Sequence, residues 1–240
     1  TLLTSSAASD VYKRQVGAGF AGMYSLHKQL SDGFKAEIYE QADDVGGTWY
    51  WNRYPGARCD IESMDYSYSF SEELQQEWNW KEKYGTQPEL LKYAQYVSKK
   101  FNLRDKINFN TKITKANFNG KYQNWFIKTD KDEVITSKNL ILATGNLSTP
   151  NTPHFPGINE FKGNIYHTGA WPKKMPNFKG KRVGIIGTGS SGVQSIPIIS
   201  ETAQQLLVFQ RTPNFSLPAR HRDLPEDRRD EYKKNYKKYR

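Results

Sequence analysis

The chain has 240 residues, a net charge of +10 and a single cysteine, Cys59. This length accommodates one large or two modest domains with a self-sufficient core, and one cysteine excludes an internal disulfide and makes a reducing compartment the default. No apolar run approaches the roughly 18 residues of a spanning helix, and residues 1–15 lack the basic start and apolar centre of a signal peptide, so the reading is a cytoplasmic protein with no stable membrane association.

Residues 1–15 are small and polar, then charged at Lys13 and Arg14, and run directly into Gly17-Ala18-Gly19-Phe20-Ala21-Gly22. A GxGxxG turn bends strand into helix, lets backbone amides approach a pyrophosphate and brings helix against strand; the helix N-terminus adds partial positive charge. The strand before such a turn is buried on both faces and expected to be aliphatic. Lys13, Arg14 and Gln15 conflict with that, since unpaired buried charge is costly. Residues 1–15 therefore read as a leader foreign to the fold, a cloning or assembly junction that replaced the native start.

Ala21 to Ser31 follows as a helix and Lys35 to Glu40 as a strand. Glu40 lies 18 residues beyond Gly22, where an acidic side chain binds the ribose hydroxyls of an adenosine without a 2′-phosphate; the bland alternative is a solvated strand-end carboxylate. Gly46 to Asp60 is too rich in glycine and aromatics for a helix or central strand and reads as a structured, ligand-covering loop. Thr86-Gln87-Pro88-Glu89 matches a capping box ahead of a helix over Leu90 to Phe101. Ile107 to Phe118, Trp125 to Thr129 and Val134 to Ser137 alternate as strands, and Asn139 to Ala143 is a short apolar strand running into Thr144-Gly145. A proline-rich connector, Pro150 to Pro156, marks a domain boundary.

Val183 to Ile186 is a buried strand feeding a second fingerprint, Gly187-Thr188-Gly189-Ser190-Ser191-Gly192; Val193 to Ser200 is its helix and Leu206 to Gln210 the next strand. Arg211 stands where the first unit has Glu40. An arginine engages a 2′-phosphate bidentately and a carboxylate repels it, so the first site is expected to take FAD and the second NADPH; a surface arginine without a ligand is the alternative. The densest positive charge is the tail Arg228 to Arg240, where lysines interleave with Tyr232, Tyr236 and Tyr239. That spacing suits an exposed helix with a tyrosine stripe. The remaining charge is spread along the chain, which argues against a nucleic-acid partner.

Phe161-Lys162-Gly163-Asn164-Ile165-Tyr166-His167-Thr168-Gly169-Ala170-Trp171-Pro172 matches position for position the FxGxxxHxxxWP fingerprint of type I Baeyer–Villiger monooxygenases. Gly46 to Asp60 matches that family's second motif, [A/G]GxWxxxx[F/Y]P[G/M]xxxD, and Ala143-Thr144-Gly145 resembles the segment linking the domains of flavoprotein monooxygenases. The chain thus resembles the N-terminal part of this branch of the flavin-containing monooxygenase superfamily over residues 16 to 218. The fold implied is α/β, with two dinucleotide-binding, Rossmann-like three-layer domains: an FAD domain over 16–150, then a linker and partial NADP domain over 151–240 ending in the start of a helical insertion.

The resemblance places FAD on Gly17, Gly19, Ala21, Gly22, Glu40, Thr48, Trp49, Tyr50, Trp51, Asp60, Tyr66 and the backbone of Ile113. It places NADPH on Arg58, Cys59, Asp60, Thr188, Gly189, Ser190, Ser191, Gly192, Val193, Gln194, Arg211 and Thr212. Phe161, Gly163, His167, Trp171 and Pro172 read as a hinge motif, with an interior structural histidine as the alternative for His167. The implied reaction inserts one oxygen atom of O2 beside a ketone carbonyl to give an ester or lactone, through a C4a-peroxyflavin. Asp60 would position a catalytic arginine that lies beyond residue 240, so the piece is expected to be inactive alone. The alternatives are oxidation of sulfide or amine atoms by the same fold, and a non-catalytic nucleotide-binding fragment. No metal is implied.

Overall fold

The computed structural model describes residues 12–239. The chain divides into two compact units, one joining the part up to Tyr50 with Leu91–Thr149, the other joining Trp51–Leu90 with the part from Pro150 onward. The first unit carries, in chain order, β1 (Tyr12–Val16), helix α1 (Phe20–Ser31), β2 (Lys35–Tyr39), β3 (Ile107–Asn108), β4 (Ile113–Asn119), β5 (Asn124–Thr129), β6 (Val134–Ser137) and β7 (Asn139–Leu142). Helices α2 (Thr48–Trp51), α3 (Glu72–Glu77) and α4 (Gln87–Lys100) lie between β2 and β3 in sequence.

A parallel sheet in the order β3-β2-β1-β7 forms the centre of this unit, and β4-β5-β6 make a separate antiparallel sheet. Helix α1 buries Gly22, Met23, Leu26 and Gln29, a stripe of helical period. It ends where Gly33, at φ +80°, lets the Phe34 amide return to the Gln29 carbonyl, the left-handed closure that glycine favours. Phe20 and His27 of α1 meet Tyr93 and Phe101, at ring-centroid distances of 6.0 and 4.8 Å.

The structure adds a strand at residues 12–16 to the sequence reading and divides the segment 107–118. The position before the first glycine turn does hold a paired strand, although its side chains are polar. Arg14 forms an ion pair with Glu37 across the β1–β2 register, and the Lys13 ammonium sits 3.3 Å from the centroid of the Phe34 ring. Gln15 is fully buried, its amide donating to the Gly22 and Gly17 carbonyls and accepting from Gln29. Partners on every side thus let a polar strand occupy an interior position. The earlier part of the leader, residues 1–11, lies outside the described residues. Ile107 to Phe118 is likewise two strands: β3 pairs in parallel with β2, β4 pairs antiparallel with β5, and Asn110 turns between them at φ +52°. The Asn110 and Thr111 amides bond to Ala42 and Glu40 carbonyls, so the chain leaves one sheet for the other.

In the second unit β8 (Arg182–Ile186), α5 (Ser190–Ser200) and β9 (Gln205–Phe209) form a parallel βαβ element. At the Thr86 box, the Glu89 carboxylate accepts the Lys81 amide and Thr86 forms an antiparallel bridge with Arg58. The Lys83 and Leu224 amides donate to the Arg222 and Lys81 carbonyls, so these two segments are laced together. The tail folds as α6 (Glu226–Lys234) and α7 (Tyr236–Tyr239). Its tyrosines meet each other as a stripe: Tyr232 stacks on Tyr239, lies edge-on to Tyr236 and donates its hydroxyl to Asp65.

Candidate dinucleotide sites

The two glycine turns have nearly the same backbone. Gly17 and Gly187 lie at φ +99° and +98°, a region where side chains are strained. Their amides donate to Tyr39 and Phe209 carbonyls at 3.0 and 2.8 Å, fixing each turn to the end of the next strand. Gly22 and Gly192 press on the turn itself: an added Cβ would stand 2.1 Å from the Gly17 carbonyl oxygen and 2.4 Å from that of Gly187. Gly19 and Gly189 cap α1 and α5 in extended conformations, and neither supplies a side-chain cap. The first-turn amides of a helix have no intrahelical acceptor. Each turn therefore presents uncapped amides and a helix dipole, without intervening side-chain bulk, where an anionic group fits.

Beyond that shared frame the turns differ. Glu40, at the end of β2, is buried and accepts the Ala18 amide at 2.7 Å on one oxygen and the Ala42 amide at 2.9 Å on the other. Each carboxylate oxygen keeps a second lone pair for a ligand hydroxyl. Gly46 and Gly47 cover the first turn: the Gly46 amide donates to the Ala18 carbonyl, and a Cβ on Gly47 would stand 2.8 Å from Gly19 Cα. The Ala143 carbonyl oxygen would be 2.4 Å from a Cβ on Gly17. Among the described residues, Gly187 and Gly189 meet nothing within 4 Å in the same test. Arg211 and Thr212 are exposed beyond β9. Gln210 and Asn214, which sequence reasoning missed, hold the second turn by donating to the Thr188 hydroxyl at 2.6 Å and the Thr188 carbonyl at 2.8 Å.

The remaining expected residues fall as follows. In the first unit Thr48 is exposed, while Trp49 and Tyr50 are buried and the Tyr50 hydroxyl donates to Asp43. Ile113 opens β4 opposite Thr129. In the second unit Trp51 and Tyr66 are half-buried and Asp60 is exposed. The Cys59 amide donates to the Gly85 carbonyl at 2.9 Å, and burial pushes the Cys59 thiol above its ordinary value. Ser190, Ser191, Gly192, Val193 and Gln194 make the first turn and a half of α5.

In the fingerprint stretch of the second unit, His167 Nδ1 accepts the Gly169 amide at 3.0 Å, which leaves the ring proton on Nε2, 3.2 Å from the Asn151 carbonyl. That neutral tautomer ties the 150s segment to the Thr168–Ala170 turn. Trp171 is buried against Tyr166 and Phe178, while Phe161 is exposed with its ring over Gly163. Among the described residues no group of His, Cys, Asp and Glu is placed to hold a metal, and no helix is long and apolar enough to cross a membrane.

Two parallel βαβ elements with glycine turns, a buried carboxylate closing one and an exposed arginine after the other, define an α/β protein of the dinucleotide-binding type. The flavin-binding monooxygenase-like family model matches residues 13–223, and the chain belongs to that family. It is 44% identical over 234 residues to a Baeyer–Villiger monooxygenase of Pseudooceanicola batsensis, covering 97% of this chain and 43% of that protein. It is 45% identical over 222 residues to a phenazine N-monooxygenase of Lysobacter antibioticus, covering 92% and 41%. The solved structure of an oxidized steroid monooxygenase bound to NADP superposes with a TM-score of 0.90 at 51% identity, covering 96% of this chain and 44% of the other. The chain thus spans less than half the length of the relatives it matches.

Proposed function

We propose that the protein is an FAD- and NADPH-dependent monooxygenase that inserts one oxygen atom of O2 beside a ketone carbonyl, giving an ester or lactone. The observation that carries this reading is the pair of like-built turns with opposite charge after them, Glu40 against Arg211. FAD lies on the first turn, in the domain over 16–150, its ribose on Glu40 and its remaining length along Thr48–Trp51, Asp60, Tyr66 and Ile113. NADPH lies on the second, within 151–240, its 2′-phosphate on Arg211 and Thr212 and its nicotinamide end toward Arg58–Asp60. When bound, the two cofactors supply hydride transfer and oxygen activation. The chain supplies binding, orientation and exclusion of water: backbone amides hold the phosphates, Trp49 and Tyr50 wall the loop, and Asp60 orients a cationic partner near the reacting end. His167, already bonded at both nitrogens, acts with Phe161, Gly163, Trp171 and Pro172 as a structural hinge. A cytoplasmic setting and small-molecule partners, with no nucleic acid, fit this role.

A second reading, oxygenation of an aromatic nitrogen, is favoured by the 45% identity to the phenazine N-monooxygenase. Full-length protein supplied with NADPH and O2 should convert a cyclic ketone to its lactone faster than it oxidises a thioether or an N-heterocycle. Faster formation of an N-oxide or sulfoxide, with no lactone, would overturn the ketone assignment.

A further inference from the structure

Arg58 lies in a short extended segment whose hydrogen bonding is divided between its two edges. On one edge the Cys59 amide donates to the Gly85 carbonyl and the Gln87 amide donates to the Ala57 carbonyl, at 2.9 and 2.8 Å, around the antiparallel bridge Arg58–Thr86. In such a pair the N–H and C=O of the residue between the bonded positions point to the opposite edge. There the amide of Gln194, from α5, meets both. Its Nε2 donates to the Arg58 carbonyl at 3.0 Å and its Oε1 accepts the Arg58 amide at 3.2 Å. The same oxygen accepts the Tyr54 hydroxyl at 2.9 Å. This orientation is the one the partners permit, because a backbone amide only donates and a carbonyl only accepts. The side chain thus takes the place of a neighbouring strand's peptide group.

The backbone of α5 is fitted to the same loop. Gly56, at φ +77°, packs so closely that a Cβ would stand 2.3 Å from the Gln194 carbonyl oxygen and 3.0 Å from Ile198 Cγ1. The Ala57 amide closes a turn onto the Tyr54 carbonyl at 3.1 Å. Loop residues 54–58 are therefore docked by shape and by three hydrogen bonds onto the helix that begins at the second glycine turn.

We propose that Gln194 is a positioning residue: through Tyr54 and the Arg58 backbone it sets Arg58, Cys59 and Asp60 relative to the helix end that receives the NADPH phosphates. The inference rests on the reading above, in which these residues face the nicotinamide end. In place of the cofactor contact that the resemblance gives it, the Gln194 amide, bonded to Tyr54 and Arg58, acts on the orientation of the hydride donor, so its loss acts on the saturating rate.

The test uses full-length protein carrying its flavin, with anaerobic flavin reduction followed over a range of NADPH concentrations and amide exchange measured over residues 54–60. Gln194→Leu should slow reduction at saturating NADPH by about tenfold or more and leave the NADPH Kd within about threefold. Gly56→Ala, which wedges the same contact, should do likewise, and Tyr54→Phe should move both readouts a few-fold in that direction. The double variant Gln194→Leu/Gly56→Ala should be no slower than the slower single one, as for residues sharing one contact. All three single variants should speed exchange at Arg58. The proposal is overturned if Gln194→Leu weakens NADPH binding tenfold with an unchanged saturating rate, or if Gly56→Ala and Tyr54→Phe match wild type. Should Gln194→Leu fail to fold, Tyr54→Phe and Gly56→Ala decide by the same criteria. A wild-type protein whose flavin NADPH does not reduce sinks the functional reading instead, and the exchange data then still decide whether Gln194 holds the loop.

Discussion

The first glycine turn is enclosed and the second is open, although their backbones are almost interchangeable. Gly17 and Gly187 differ by one degree in φ, yet a Cβ on the first would strike the Ala143 carbonyl while one on the second would meet nothing within 4 Å among the described residues. The difference comes from what flanks each turn in its own unit. Strand β1 is paired on both sides, by β2 and β7, and β7 delivers Ala143 beside Gly17; β8 pairs with β9. A GxGxxG sequence therefore specifies a turn, and the neighbouring strands and loops specify how closely it is covered.

The sharpest way to break this comparison is to place the same substitution in both turns. Gly17→Ala combines backbone strain with overlap on a carbonyl oxygen, so a cost of about 2–6 kcal/mol is expected, read as a lowered melting temperature and loss of bound flavin. Gly187→Ala bears the strain alone, about 1–3 kcal/mol, and should retain flavin. Equal losses in the two variants would mean that enclosure is irrelevant.

Glu40 tests the buried side of the contrast. Glu40→Gln keeps the shape but turns an NH2 group toward one of two backbone donors, Ala18 N or Ala42 N, at about 1–3 kcal/mol for the unsatisfied pair. Reduced flavin occupancy after purification should report it. Arg211 tests the exposed side. Arg211→Ala should raise the NADPH KM about tenfold to a hundredfold, the worth of charge-assisted hydrogen bonds, and should leave the NADH KM and flavin content unchanged.

The smallest effect expected concerns β1. Gln15→Val alone should destabilise by about 1 kcal/mol, because the Gly22 carbonyl loses a side-chain donor and Gln29 loses one acceptor while keeping the Ser25 carbonyl and hydroxyl. Adding Gln29→Leu removes the other half of the pair, so the double variant should lose less in a thermal melt than the sum of the two single losses. If the two losses simply add, Gln15 and Gln29 are not a coupled pair.

These cases also mark how far the sequence can be read. The two glycine turns and the place of Glu40 at the end of β2 were legible because each is set by local geometry within one βαβ element. Gln15 was not: its acceptability at a buried position depends on Gly22 and Gln29, and no periodicity encodes such a network. The break at Asn110 was hidden because the apolar alternation of 107–118 continues across it. The tie of Gln194 to Arg58 was not legible, since it spans 136 residues and follows from which edge of a short strand is left open. Glu89 fitted a local capping rule, yet its carboxylate accepts the Lys81 amide.

The central claim is that the enclosed turn holds a flavin and the open one receives a 2′-phosphorylated nicotinamide. The most direct test is anaerobic mixing of purified full-length protein with NADPH or NADH, following bleaching of its bound flavin. One flavin per chain, reduced by NADPH at least about tenfold more efficiently than by NADH, with that preference abolished in Arg211→Ala, is the result expected. Protein without flavin, or reduction with no preference between the two nucleotides, would contradict the account.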